Sequence, residues 1–290
     1  MIWVNAIVQG ILIGGFYALF ACGLSLLFGV MGIINLAHGD FAVIAGYAAV
    51  LLVPQTHLPL VWGFLIVVPM FALGGYVLQR TLFQTALDRG NPLTILLVTF
   101  GLSVITENAL LQAFTSNGQS INIGSLIAKS FNPSPVVSIS YLSLAVLIVA
   151  VVVLVGLSLT LSRTKTGRLI RAVADDREAA ELVGVNYRHV FCIAAAIALA
   201  TVALAGIASG MLTEFAPSSG TNNLLFAFEA VVIGGIGSLW GTLAGGIVLG
   251  IAQQIGAQIN PAYQILAGHL VFLAVLAFRP NGLFRARVAA

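Results

Sequence analysis

Six ionisable side chains stand inside long apolar stretches of the sequence, where they must bond to protein or face water. They are His38, Asp40, Glu107, Glu214, Glu229 and His269. A charged group at bilayer depth costs about 2.5–3.5 kcal/mol on insertion scales, so such groups turn towards a cavity or a neighbouring helix. Hydrogen bonding to a polar solute or to another helix is the chemistry open to them. The four histidines of the chain show no paired acid–base spacing, which argues against an enzyme.

A polar, glycine-containing break separates the first two apolar stretches. It holds Asn35, His38, Gly39 and Asp40. Broken helices at membrane depth are tolerated where they line a cavity. Two interpretations stay open at this point: the break lines or gates a solute path, or it is a hinge that ties neighbouring helices together by hydrogen bonds.

Polar side chains also recur on two later stretches. Ser103 and Glu107 belong to a polar stripe with mostly helical spacing, and Glu229 follows two phenylalanines on a short stretch. These three residues are candidates to line the same path, and hydrogen bonding between helices is the alternative. Glu214 fits the membrane interface, and His269 fits a packing group whose hydrogen bonds are satisfied.

The one long polar stretch is the charged segment, residues 163–189, with six basic and four acidic residues. Apolar residues recur in it at helical spacing, and Gly184 suits the left-handed C-cap of a helix. We predict an amphipathic helix of about four turns over 168–183. It is either a solvated connection or a docking helix for a soluble partner.

Composition indicates the solvent around these elements. Hydrophobic residues make up 60% of the chain and charged residues 7%, with a mean hydropathy of +1.08, whereas a soluble domain carries about 25% charged residues. We therefore predict an all-α polytopic membrane protein, each span needing about 20 mostly apolar residues. The candidate spans are 4–29, 33–53, 60–79, 92–114, 139–161, 190–212, 224–238, 241–258 and 262–278. They number nine, within a range of eight to ten.

The basic residues orient this arrangement. Eleven of the twelve fall into a loop with Arg80 and Arg89, the charged segment, and the C-terminal tail. Nine crossings put all three on one side, which the positive-inside rule makes the cytoplasm. The N-terminus is then periplasmic and the C-terminus cytoplasmic. So few basic residues over this length form no basic surface, so no nucleic-acid partner is expected. The stretch 115–138 is predicted to be an external loop with little fixed structure.

Glycines spaced by four residues predict close helix contacts, as at Gly10 and Gly14 or at Gly246 and Gly250. Lipid provides no hydrophobic drive for helix association, so backbone approach over small residues must supply contact. The spacing does not separate static packing from helices that rock against each other.

Three motifs resemble one protein family. Residues 178–184 (Glu-Ala-Ala-Glu-Leu-Val-Gly) resemble the EAA loop of bacterial ABC-importer permeases, although the downstream Ile-x-Leu-Pro of the fuller consensus is missing. Residues 29–41, with Asn-Leu-Ala-His-Gly, are similar to a segment of LivH-type branched-chain amino acid permeases. Residues 230–241 resemble the C-terminal glycine motif of that group. The motifs occur in the family's order and span nearly the whole chain.

The resemblance implies a single permease domain over 1–290, with the charged segment as its cytoplasmic coupling loop. The residues implied in coupling to an ATPase are Arg168, Arg171, Asp175, Glu178, Ala179, Ala180 and Gly184. The implied partners are two ABC ATPase subunits, a homologous LivM-like permease subunit, a periplasmic solute-binding protein and the lipid of the bacterial inner membrane. No phosphate-binding Gly-x-x-x-x-Gly-Lys-Ser/Thr occurs, so ATP and Mg²⁺ are expected on the ATPase subunits and no cofactor on this chain.

The implied function is uptake of branched-chain amino acids or related amino acids and amides by alternating access. The main alternative is a passive channel or an ion-coupled carrier for small polar solutes. The sequence does not fix the solute, because relatives of this group carry urea, short amides or other small organic solutes.

Overall fold

The computed structural model describes residues 2–56, 60–121, 129–134 and 137–284. Each predicted span corresponds to a helix in these ranges. The helices are α1 (Ile2–Met31), α2 (His38–Thr56), α3 (Leu60–Leu78), α5 (Pro92–Phe114), α6 (Tyr141–Arg163), α9 (Tyr187–Leu212), α10 (Ser219–Gly234), α11 (Leu239–Ile259) and α12 (Tyr263–Phe278). Among the described residues, six helices are long and apolar enough to cross a membrane, and part of α2 (His38–Leu52) and the whole of α12 form shorter apolar helices. The predicted polytopic helical architecture is confirmed.

The third span runs further than predicted. It continues from α3 through a π-helical turn (Gln79–Phe83) into α4 (Gln84–Leu87). Arg80 is therefore helical, and the expectation that it shares a loop with Arg89 is wrong. The helix persists because Phe83 packs in a small apolar cluster with Ile33, just after α1, and Ile95 of α5.

The predicted amphipathic helix is broken in two. It consists of α7 (Lys165–Asp175) and α8 (Arg177–Leu182), so the expectation of one continuous helix is wrong. Asp176 is extended (φ −150°, ψ 104°), and its side chain accepts a hydrogen bond of 2.9 Å from Ala179 N. An aspartate that caps a new helix in this way competes with continuation of the preceding one.

The predicted C-cap at Gly184 is confirmed. Its φ is +87°, in the left-handed region that favours glycine. Gly184 N donates to Glu181 O at 2.9 Å, and Val185 N donates to Ala180 O at 3.0 Å. This pair of bonds is the Schellman motif, which satisfies carbonyls at the end of α8.

The stretch after α5 is more ordered than predicted. Strands β1 (Ser130–Ser134) and β2 (Val137–Ser140) pair antiparallel, and Gln119 bridges to Phe215. The expectation of little fixed structure is wrong for this described part, because strand pairing and side chains of α1 satisfy its backbone groups: Ser138 N donates to Asn5 Oδ1 at 3.2 Å. Residues 122–128 and 135–136 lie outside the described residues.

The bundle has two distinguishable ends. Asp88, in the turn before α5, forms an ion pair of 3.2 Å with Arg188 of the charged segment, and Val30 of α1 packs in one apolar cluster with Ile170 of α7. We call this the basic end. The β hairpin contacts the first turns of α1 at the opposite, hairpin end. Two of the three basic segments thus lie at one end; Arg285 and Arg287 of the third lie outside the described residues.

Glycines allow close contact between α1 and α11. A Cβ on Gly14 would lie 2.5 Å from Ile247 Cα, and a Cβ on Gly10 would lie 2.5 Å from Ile251 Cα. Real Cβ atoms do not approach backbone so closely. Only glycine, whose side chain is a hydrogen atom, therefore fits at these positions between α1 and α11. The close helix contacts predicted at these spacings are confirmed.

Candidate functional site

The polar turn, residues 32–40, carries the chain from the end of α1 back into the bundle. Gly32 leaves the helix with φ +65°. The ring Nε2 of His38 then lies 3.1 Å from Phe20 O, about three helical turns before the end of α1. Helix α2 therefore begins inside the bundle, as broken helices do where their ends line a cavity or contact other helices.

Asn35 shapes this turn from within. Its side-chain Oδ1 accepts a hydrogen bond of 3.1 Å from Ala37 N, and its backbone carbonyl accepts one of 3.2 Å from His38 N. Such bonding of an Asn side chain to backbone two residues on replaces helical bonds in turns. Both Asn35 and His38 are fully buried, and Asn35 Nδ2 and His38 Nδ1 lack partners among the described residues.

Asp40 lies in the first turn of α2, where the helix dipole favours a carboxylate. The residue is buried, and Oδ2 accepts a hydrogen bond of 2.5 Å from Ser103 Oγ of α5. Oδ1 has no hydrogen-bond partner in the described part of the chain. Helix α10 presses against the same place: a Cβ on Gly39 would overlap Gly220 O, and a Cβ on Gly220 would overlap Asp40 Oδ1.

The structure brings together five of the residues that the sequence nominated for a solute path: Asn35, His38, Gly39, Asp40 and Ser103. Glu107 follows one turn later on α5, is partly buried, and is close enough to Asp40 for electrostatic interaction. The group therefore joins the polar turn to the polar stripe of α5, with α10 closing it on another side. Its arrangement offers one unpaired carboxylate oxygen, an unpaired amide and an imidazole.

Glu229, the remaining candidate for the solute path, bonds to a residue of α12 and not to this group. Its buried Oε1 is 2.5 Å from His269 Nδ1 of α12, so the pair ties α10 to α12. The expectation that His269 is a satisfied packing group is confirmed. Phe226 stacks on the His269 ring and contacts Tyr17, whose hydroxyl donates to Gln253 Oε1 at 2.6 Å. The sequence analysis missed this bond; a glutamine inside the apolar run of α11 was its only signal.

Most of the residues of the charged segment that the resemblance implies in coupling are exposed. Arg168, Asp175, Glu178, Ala179 and Gly184 are exposed, Arg171 is partly buried, and Ala180 is buried. Ile170 and Val173 anchor the inner face of α7 to α1 and α9. At the C-terminal end of α8, Leu182 and Val183 remain 89% and 80% exposed. Two adjacent bare aliphatic side chains beside charged ones form a surface suited to a partner protein.

Asp88 connects the charged segment to the end of α4, which the sequence did not predict. Besides Arg188, Asp88 Oδ1 lies 3.9 Å from Arg177, accepts from Gln84 Nε2 at 2.8 Å and accepts from Tyr187 Oη at 3.4 Å. The Arg177 guanidinium stacks 3.7 Å above the Tyr187 ring. Asp88 is 99 residues from Tyr187 in sequence, so only the fold reveals the cluster.

A cavity of about 360 Å³ continues from this cluster towards the polar turn. Residues 31–34 line one wall, the start of α5 lines another, and Arg177 reaches the cavity from α8. The charged segment and the polar turn thus border the same space at the basic end.

A bundle of apolar helices with a polar turn inside it and an exposed charged segment at one end defines a multi-pass membrane protein. The polar groups meet at helix breaks inside the bundle, as in proteins that move solutes. The chain belongs to the family described as "Branched-chain amino acid transport system / permease component", which it matches over residues 6–276. The resemblance drawn from the three motifs is confirmed.

Curated relatives match almost end to end. The high-affinity branched-chain amino acid transport system permease protein BraD of Pseudomonas aeruginosa is 30% identical over 297 residues, covering 97% of this chain and 95% of the relative. The corresponding LivH protein of Escherichia coli K12 is 26% identical, covering 95% and 93%. The ribose import permease protein RbsC of Haemophilus influenzae is 34% identical over 127 residues, only 40% of this chain. No solved structure matches the chain.

Proposed function

We propose that this chain is the membrane-spanning permease subunit of an ATP-driven importer for branched-chain amino acids or related small amino acids and amides. The observation that carries the proposal is helix α8, whose C-terminal end is exposed and whose first residue, Arg177, is joined through Asp88 to the helix before α5. The near full-length similarity to BraD and LivH supports the solute class.

The proposed setting is the bacterial inner membrane, with the basic end in the cytoplasm. Arg80, Arg89 and the basic residues of the charged segment lie at that end, which is the bias expected of cytoplasmic loops. The N-terminus, at the hairpin end, is then periplasmic and the C-terminus cytoplasmic.

The proposed assembly contains two ATPase subunits, a homologous LivM-like permease subunit and a periplasmic binding protein that delivers the solute. ATP and Mg²⁺ bind to the ATPase subunits. Arg168, Arg171, Asp175, Glu178, Ala179 and Gly184 form the side of the charged segment that couples to them, together with Leu182 and Val183, while the buried Ala180 packs α8 against the bundle. The aliphatic pair supplies buried apolar area and the charges supply orientation.

The proposed mechanism is alternating access. Closure of the ATPase subunits moves α8, and Arg177 with Asp88 passes the displacement to the turn before α5 and to the polar turn. Asn35, His38, Gly39, Asp40, Ser103 and Glu107 then change their exposure to the solute path; Glu229, bonded to His269, contributes only through the position of α10. A change of state requires that the ATPase contacts differ between the two states.

The experiment replaces the two bare side chains by the double substitution Leu182→Asp and Val183→Asp. Both side chains are almost fully exposed, so the chain should insert and fold as before. Co-purification of the ATPase and ATP-dependent uptake of leucine by reconstituted vesicles should fall at least tenfold, because two desolvated charges replace an apolar contact. Leucine is the probe solute in each assay.

Ile2→Asp is the matched control, since Ile2 is 59% exposed at the hairpin end. Its uptake should stay within about twofold of the unaltered chain. Normal ATPase binding and uptake by the Leu182/Val183 variant would refute the coupling role. Gradient-driven uptake by the reconstituted chain without any ATPase would favour the passive channel or carrier instead.

A further inference from the structure

A second basic site lies at the junction of α3 and α9, apart from the polar turn. A cavity of about 350 Å³ opens there, and its polar lining includes Tyr76, Arg80, Gln84, Asn186, Arg188 and His189. Of this set, Arg188 and Gln84 also bond to Asp88. Basic cavities between transmembrane helices near a membrane surface are typical binding sites for lipid headgroups.

The cavity presents an excess of positive charge. Arg188 is compensated by Asp88, but Arg80 forms no ion pair among the residues that the structure describes. The π-helical turn that begins at Gln79 places Arg80 at the cavity, and such turns are frequent at functional sites. Helix α9 begins beside the same cavity with Asn186 as its N-cap, so its dipole adds to the attraction for an anion.

Two further side chains point to a ligand with its own hydrogen-bonding groups. Tyr76 Oη and His189 Nδ1 lie 3.0 Å apart, so when the hydroxyl donates to Nδ1, the ring keeps Nε2–H as a free donor. Gln84 is 6% exposed and gives its amide N–H to Asp88, while its Oε1 is buried without a partner in the described part of the chain. The cavity therefore holds several hydrogen-bond donors.

The apolar surface below the cavity fits acyl chains. Leu73 and Val77 precede Arg80 by seven and three residues, which places them on the same face of the helix, deeper in the membrane. They are 66% and 49% exposed. Gly75 closes the space behind them, because a Cβ there would lie 2.6 Å from Ala195 O. A basic recess thus continues into an open apolar strip along α3.

We propose that this cavity binds the phosphodiester headgroup of a membrane phospholipid. Arg80, Arg188 and His189 hold the phosphate, and the acyl chains lie along Leu73 and Val77. The proposal does not depend on the solute that the chain carries.

The test measures phosphatidylglycerol bound to the full-length, delipidated chain in detergent by native mass spectrometry. One lipid per chain should survive mild activation. Arg80→Gln should weaken its binding about fivefold, the value of one basic residue near a lipid surface at about 1 kcal/mol. Arg80→Lys should keep most of the affinity, because the charge remains.

Arg89→Gln is the matched control: Arg89 is exposed at the same end and does not line the cavity. It should leave lipid binding unchanged. Equal losses from Arg80→Gln and Arg89→Gln would overturn the site in favour of general surface attraction. Complete displacement of the lipid by millimolar inorganic phosphate would overturn the lipid as its ligand, since a free anion would then suffice.

Discussion

The polar groups inside the bundle and those at its basic end are held by different means. Inside, Asp40 is buried where α2 and α10 meet backbone to backbone at Gly39 and Gly220. At the basic end, Asp88 keeps a third of its side chain exposed while bonding to Arg177 and Arg188. The interior site is fixed by packing, which allows few geometries. The end cluster is held by charges that water weakens, so it can rearrange cheaply.

The largest effect should come from breaking the interior contact with Gly39→Ala. The added methyl group meets the Gly220 carbonyl oxygen, which is backbone and cannot turn aside. We expect a loss of about 3 kcal/mol, at the upper end of the cost of overpacking. Unfolding in detergent, followed by loss of helical signal, measures it.

Gly101→Ala is the control, because a Cβ there meets nothing within 4 Å. It should be neutral or stabilising by up to about 1 kcal/mol, since alanine favours helix. If both variants unfold alike, close approach at Gly39 does not define the interior site.

An intermediate effect should follow from His269→Leu, which leaves the buried Oε1 of Glu229 without its partner. Loss of a hydrogen bond to a buried group costs about 2 kcal/mol. The double variant Glu229→Leu with His269→Leu should recover most of that loss, because no unpaired polar group remains. The same unfolding assay, run as a double-mutant cycle, measures the coupling.

This cycle also sharpens the distinction between interior groups. A stable double variant with normal uptake would show that the Glu229–His269 pair only holds α10 and α12 together. A double variant that recovers stability but loses uptake would return Glu229 to the solute path.

The smallest effect on stability should come from Asp88→Asn at the basic end. Its ion pairs are partly exposed, so their loss should cost under about 1 kcal/mol and shrink further in high salt. Glu214→Gln, an exposed acid at the hairpin end, is the comparison. A loss for Asp88→Asn as large as that for Gly39→Ala would mean that the two regions are held alike.

Much of the helix pattern could be predicted from hydropathy and local signals. The fifth helix begins at Pro92 and ends at Phe114 as predicted, because Asn91 caps it and proline suits its first turn. Gly184 ends α8 as predicted because its left-handed conformation is a local preference. The break at Asp176 was missed, since an aspartate inside a helical pattern is a cap only if the flanking turns pack apart.

The composition and the order of motifs determined by themselves that this chain is a helical membrane protein of the permease family. Those properties depend on the solvent that each segment requires and on short local patterns. The partners of Asp40, Glu229 and Asp88 were decided only by the tertiary structure. The bonds of Asp40 to Ser103, Glu229 to His269 and Asp88 to Tyr187 join residues 63, 40 and 99 positions apart, and an apolar sequence does not say which helix faces which. In lipid, the pairing of helices depends on where glycines allow two backbones to come into contact. Such contact requires matching positions on both helices, so the sequence of one helix does not determine it.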